Sequence, residues 1–192
     1  NISPTKAYEL SKSSFFLISL SLGAGAVLLL YLIRDIKRLL RSLKVQRDQK
    51  RQTRIQELYT KGLNSLIAKR NPDATTFFQK VLTIDPNHVD TLLRMGITQL
   101  RQKNVQEAIR LHLKAWNLES NNQEVMFSLS ADYEDAKRFD EAIKMYREIL
   151  RRDPSNITTL GRLRDLYHRL NQWEELIETQ ARLLASPLGA QE

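Results

Sequence analysis

The sequence predicts an all-α protein in three parts: one membrane-crossing helix, a basic helical stretch behind it, and about four stacked helix-turn-helix units. Three observations predict this. Gly and Pro number 6 and 5 of 192 residues, about half their usual combined share, which argues against turn-rich all-β, collagen-like and low-complexity chains. One uncharged apolar run, SFFLISLSLGAGAVLLLYLI, occupies residues 14–33. From residue 55 onward the same residue types recur with a period of 34. The chain has no cysteine, which excludes disulfides, Cys-ligated zinc, Fe–S clusters and thiol chemistry for these residues.

In chain order, residues 1–13 read as an extracytoplasmic segment, and the Asn at position 1 reads as the start of a processed product or of a piece of something longer, the second being the expectation here. The run at 14–33 would span about 30 Å as a helix, the hydrocarbon thickness of a bilayer. A buried core helix rarely runs that far without a charge, and a cleaved signal peptide carries its positive charge before the apolar stretch. Here the excess follows it, so the positive-inside rule places residue 34 and everything after it in the cytoplasm. Ser19 with Gly23, and Ser21 with Gly25, are small residues four apart. They offer close approach to another helix, or simply face lipid.

Residues 34–54 carry nine Lys or Arg against Asp35 and Asp48, a net +7. Arg34, Lys37, Arg38, Arg41 and Lys44 lie nearest the span. They suit an anionic membrane surface, and equally a solvated linker that only fixes topology. Ile36, Leu39, Leu40 and Leu43 recur at helical spacing and no Gly or Pro falls between Gly25 and Gly62, so the helix is expected to continue out of the bilayer. Residues 55–192 balance 19 basic against 19 acidic side chains. The overall charge of +8 is therefore local, which argues against a nucleic-acid-binding face.

The repeat anchors stand in columns. Gly62 and Gly96 share one, Ala74, Ala108 and Ala142 a second, Phe78, His112 and Tyr146 a third, and Pro86 and Pro154 are two periods apart. This spacing resembles the tetratricopeptide repeat, a helix-turn-helix unit that stacks into a right-handed α-solenoid. The units run 55–88, 89–122, 123–156 and 157–186, with a tail at 187–192. Small residues (Gly62, Gly96, Ser130) would let paired helices approach, while Phe78, Tyr133, Tyr146 and Tyr167 fill the layers. Asn104 with Glu107, and Asn171 with Glu174, read as caps of second helices, and Pro86 and Pro154 as helix stops. The fourth unit departs from the pattern at Arg164, Leu176 and Gln180.

The sequence holds no catalytic constellation, phosphate loop or metal-ligand set, so no cofactor is expected. His112 sits in the aromatic column and reads as a packing residue, and His88 falls in a turn between units. Asp132, Glu134 and Asp135 read as a solvated acidic face. Function should lie on a binding surface. In this type of repeat the first helix of each unit lines the inner groove, giving Tyr59, Leu63 and Leu66, then Leu93, Ile97 and Leu100, then Phe127, Ala131 and Glu134, then Asp165 and His168. The strip begins apolar and ends polar. It fits an amphipathic helix or extended peptide better than a clasped terminal carboxylate; the alternative for any one of these side chains is packing within the array.

Two stretches narrow the resemblance. Tyr8-Glu9-Leu10 followed by FFLISLSLGAGAVLLLYLIRDIKRLLRSL looks like the second transmembrane helix of the lipopolysaccharide assembly protein A domain. Gln106-Glu107-Ala108-Ile109-Arg110-Leu111-His112 resembles a repeat of lipopolysaccharide assembly protein B. Together they imply a bacterial inner-membrane scaffold in lipopolysaccharide assembly, non-enzymatic, holding a protein partner in its cytoplasmic groove. The chain lacks the B family's four-cysteine module. A general assembly or protein-import receptor, and the accessory region of an enzyme whose catalytic domain lies elsewhere, are the alternatives.

Overall fold

The computed structural model describes residues 12–185. The Tyr8–Leu10 match, most of the extracytoplasmic segment, residue 186 and the tail lie outside these. Among the described residues there are eight α-helices and no strand: α1 (Lys12–Ile67), α2 (Asn71–Ile84), α3 (Val89–Arg101), α4 (Val105–Leu118), α5 (Gln123–Asp135), α6 (Phe139–Arg152), α7 (Ile157–Arg169) and α8 (Trp173–Leu184). The chain divides into two compact units, Asn1–Gln52 and Thr53–Glu192.

In the first unit α1 exposes its large apolar side chains, from Leu17 and Leu22 through Leu30 to Ile36, Leu39 and Leu43. A core helix would bury them. This helix is long and apolar enough to cross a membrane. The basic residues Arg34, Lys37, Arg38, Arg41 and Lys44 are exposed, with Arg34 over the Tyr31 ring at 4.4 Å and Asp35 3.5 Å from Arg34 and 3.9 Å from Arg38. A Cβ built on Gly23 meets nothing within 4 Å.

In the second unit the last turns of α1 pair with α2, α3 with α4, α5 with α6 and α7 with α8, which makes the tetratricopeptide-type solenoid. The columns read from the sequence are its core. Ala74, Ala108 and Ala142 are fully enclosed, and Phe78, His112 and Tyr146 lie between the paired helices. The missing side chains of Gly62 and Gly96 make room for them. A Cβ on Gly62 would stand 2.5 Å from the Phe78 ring, and one on Gly96 would overlap the His112 ring. Gly161 in α7 faces open space. Gly96→Ala should therefore destabilise by about 1–3 kcal/mol through overpacking. Gly161→Ala should stabilise by about 0.5–1 kcal/mol through helix propensity alone. Urea titration of the two variants checks the opposite signs.

The caps fall elsewhere than the sequence suggests. First helices are the capped ones: His88 Nδ1 accepts from Thr91 N (3.2 Å), Asn122 Oδ1 from Val125 N (3.3 Å) and Asn156 Oδ1 from Thr159 N (3.0 Å). Asn104 does precede α4, but its amide donates to Gln99 Oε1 at 2.9 Å and caps nothing. Asn171 lies in the turn after α7, and Gln172 precedes α8. The physical reason is the tight turn inside each unit, which leaves no room for a β-region cap. There the first helix ends in paired reverse bonds, Lys69 N to Leu66 O and Arg70 N to Ser65 O, repeated at residues 103–104, 137–138 and 171–172. This Schellman closure puts one residue per turn in the left-handed region: Lys69 (φ 57°), Lys103 (67°), Lys137 (58°) and Asn171 (56°). Lysine pays a steric cost there that glycine avoids. Lys69→Gly, Lys103→Gly and Lys137→Gly should each raise stability by about 0.5–1 kcal/mol after the looser unfolded chain is allowed for, visible as a higher Tm.

Candidate protein-binding face

The first helices of the second and third units, α3 and α5, touch each other as well as their own partners, so first helices carry the inner strip. Tyr59, Leu63, Ile97, Leu100 and Phe127 are half-buried along it, as is Ala131. Two residues differ from the sequence reading. Leu93 is only 1% exposed and Leu66 8%, both inside the cluster with Phe78, Leu92 and Leu111. Leu93 stands where the neighbouring units have Tyr59 and Phe127, whose longer rings emerge from the layer that the shorter leucine ends within. It belongs to the core and is not available to a partner.

The rings on this strip rest on the aromatic column behind it. Tyr59 lies 6.0 Å from Phe78 and 5.6 Å from His88, and Phe127 5.9 Å from Tyr146. Arg94, which sequence reasoning did not single out, links α3 to the next first helix: its guanidinium pairs with Glu124 of α5 at 2.9 Å, and the Tyr59 hydroxyl of α1 adds to the surroundings that favour its charge. Partial burial works against its charge, but those two partners hold its pKa above the ordinary arginine value. Nothing local marks Arg94, because its partners lie one period away on either side.

The polar end is occupied by the protein itself. Glu134 accepts from Tyr146 Oη at 3.3 Å and from Arg169 at 2.9 Å. Asp165 pairs with Arg164 at 2.7 Å, and His168 stands edge-on to Trp173 at 6.0 Å. Along this strip the apolar character is therefore concentrated in the first two and a half units.

Behind the strip lies a second correction. Asp132 is not on a solvated face: it is 1% exposed, and its Oδ2 lies 2.6 Å from His112 Nδ1. His112 Nε2 donates to the Leu93 carbonyl at 3.1 Å, so both ring nitrogens are engaged inside the core. Burial pushes the Asp132 carboxyl above its ordinary range, against the pull of His112. Its Oδ1 is enclosed without a protein partner. Among the described residues no group of His, Asp and Glu is placed to hold a metal.

Two segments match the tetratricopeptide repeat family model, residues 124–156 and 159–192. No curated protein matches the chain. Among solved structures, a MamA protein superposes with a TM-score of 0.64 at 20% identity, covering 69% of this chain and 72% of that one. MamA from Desulfovibrio magneticus gives 0.66 at 19%, covering 72% and 78%. A tetratricopeptide repeat protein from Parabacteroides merdae gives 0.66 at 18%, covering 69% and 53%. At these identities the likeness is one of fold. The chain carries tetratricopeptide repeats, and such repeats are scaffolds for protein–protein interaction.

Proposed function

We propose that the chain is a membrane-anchored, non-enzymatic adaptor that holds an amphipathic helix or extended peptide of a partner protein against the inner strip of its first three units. The observation that carries this reading is the row of half-exposed apolar side chains, Tyr59, Leu63, Ile97, Leu100 and Phe127, set beside a polar end already satisfied internally. An interaction surface of this kind gains its affinity from a few apolar anchors, with Arg94 supplying a fixed cation near the centre. The exposed apolar stretch of α1, followed by the basic tract, supports the anchor and the cytoplasmic placement of the repeats.

A photo-crosslinker at Ile97 in native membranes should yield one partner adduct. Glu at both Leu63 and Leu100 should abolish it while the helical circular dichroism stays unchanged. A crosslinker at Lys144, exposed on α6, is the reference position. An Ile97 adduct that persists in the double variant would remove the strip from the account. Digestion of the repeats from the outer face of sealed membrane vesicles would overturn the topology.

The narrower setting, regulation of lipopolysaccharide or envelope assembly at a bacterial inner membrane, is supported by the sequence resemblance of residues 8–43 and 106–112. Deleting the gene should change the cell's lipopolysaccharide content at constant phospholipid. Unchanged lipopolysaccharide would leave the adaptor reading without that setting.

A further inference from the structure

The balanced charge of the repeats conceals a separation. The turns that follow second helices carry Asp85, Glu119 and Asp153, whereas the turns inside each unit carry Lys69, Lys103 and Lys137. Arginines at the inner turns are engaged by the fold: Arg101 donates to Leu66 O at 3.3 Å, Arg138 pairs with Glu141 at 2.6 Å, and Arg169 pairs with Glu134. The three lysines are different. They are exposed, they make no ion pair among the described residues, and each occupies a left-handed conformation that a glycine or asparagine would hold at less cost. A costly choice repeated at the same place in three successive units points to a use outside the fold.

Beside the first lysine is a cleft of about 440 Å³ lined by Leu66, Ile67, Lys69, Asn71 and Arg101. Ile67 is 79% exposed there, and the buried Asn71 Oδ1 has no protein partner. We infer that the edge formed by the inner turns is a second docking surface, distinct from the apolar strip. It takes an acidic, extended polypeptide segment whose carboxylates meet Lys69, Lys103 and Lys137 and whose terminal apolar side chain enters the cleft against Leu66 and Ile67.

The geometry of the occupant follows from the repeat. Packed helices lie roughly 8–10 Å apart, and an extended chain rises about 3.3 Å per residue. A carboxylate at every third residue therefore stays in step with one lysine per unit. Nucleic acid is the poorer fit. Beside the lysine turns the Tyr133 and Phe139 rings are covered by the Arg138 and Arg169 guanidinium groups at 4.6 and 5.2 Å, and the exposed ring at this edge, Trp173, belongs to the fourth unit, whose turn carries Asn171 in place of a lysine, so stacking rings and lysines are not interleaved along the edge.

The test uses the full chain in detergent micelles and a fluorescein-labelled peptide of about twelve residues with Glu at every third position and Leu at both ends, read by fluorescence anisotropy. The Lys69→Gly/Lys103→Gly/Lys137→Gly variant should bind about fivefold or more weakly and melt at a higher temperature, so that the loss cannot come from unfolding. Changing Lys50, Lys80 and Lys144 to Gln removes the same charge elsewhere and should alter Kd by less than about twofold. Absence of peptide binding, equal losses in both triple variants, or a lower melting temperature for the glycine variant would each overturn the inference. So would tighter lysine-dependent binding of single-stranded RNA or of phosphatidylglycerol vesicles than of the peptide. Glu at Leu63 and Leu100 should leave peptide binding intact. If it abolishes binding, the peptide is a ligand of the apolar strip, which upholds the proposed function and removes this edge from it.

Discussion

Asp132→Ala is expected to lower the unfolding free energy by about 3–5 kcal/mol, the cost of breaking a buried ion pair by removing one partner. The carboxylate and His112 are each 1% exposed and 2.6 Å apart, so bulk solvent does not reach the group left without its partner. His112→Phe should cost a similar amount, because it abandons a carboxyl group in an apolar layer. Most small domains have only about 5–15 kcal/mol in total, so either change should be plain in a urea titration. The double variant His112→Phe/Asp132→Leu should recover most of the loss, since well-packed apolar groups of similar volume commonly replace a buried pair at little net cost. Asp132→Asn should lie between, as its amide can still donate to Nδ1. A double variant as unstable as the sum of the singles would show that the two residues act separately.

That pair also shows where the sequence stops being readable. The 34-residue columns expose the stack directly, because Ala108, Ala142, Phe78 and Tyr146 are core positions whose size and polarity repeat. Helix α3 begins at Val89, α5 at Gln123 and α7 at Ile157, each just after the side chain that caps it. Asp132 was hidden by its neighbours: beside Glu134 and Asp135 it looks like one charge in a wet run, and its partner lies 20 residues earlier on the second helix of the preceding unit. The signal was His112 itself, since a histidine in an otherwise aromatic column needs polar company. Leu93 departs from the sequence reading, and Arg94 goes unmarked in it, for a related reason. Periodicity assigns a position to a face, but the length of a side chain decides whether it ends inside the layer or crosses it. The lysine row was visible as a spacing, yet lysine is a good helix former, and nothing local announces that the Schellman turn forces it to a positive φ.

Asp at both Leu22 and Val27 should shift the protein out of the membrane fraction. Each charge near the middle of a spanning helix costs about 2.5–3.5 kcal/mol on insertion, so two together cost roughly 5–7 kcal/mol. Both side chains are exposed on α1, so nothing in the second unit's core is disturbed and the repeats should stay folded. Alkaline carbonate extraction followed by immunoblotting measures the shift, and circular dichroism of the released chain confirms its helices. Asp at Leu39 and Leu43 is the informative contrast. These residues are also exposed and apolar but lie among the arginines and lysines beyond residue 33, where the headgroup layer is wet and cationic side chains are close. Their replacement should leave extraction unchanged if hydrocarbon ends near Ile33. If the Leu39 and Leu43 change releases the protein and the Leu22 and Val27 change does not, the apolar run does not sit in the bilayer, and the basic helix holds the chain to the membrane through its own amphipathic face.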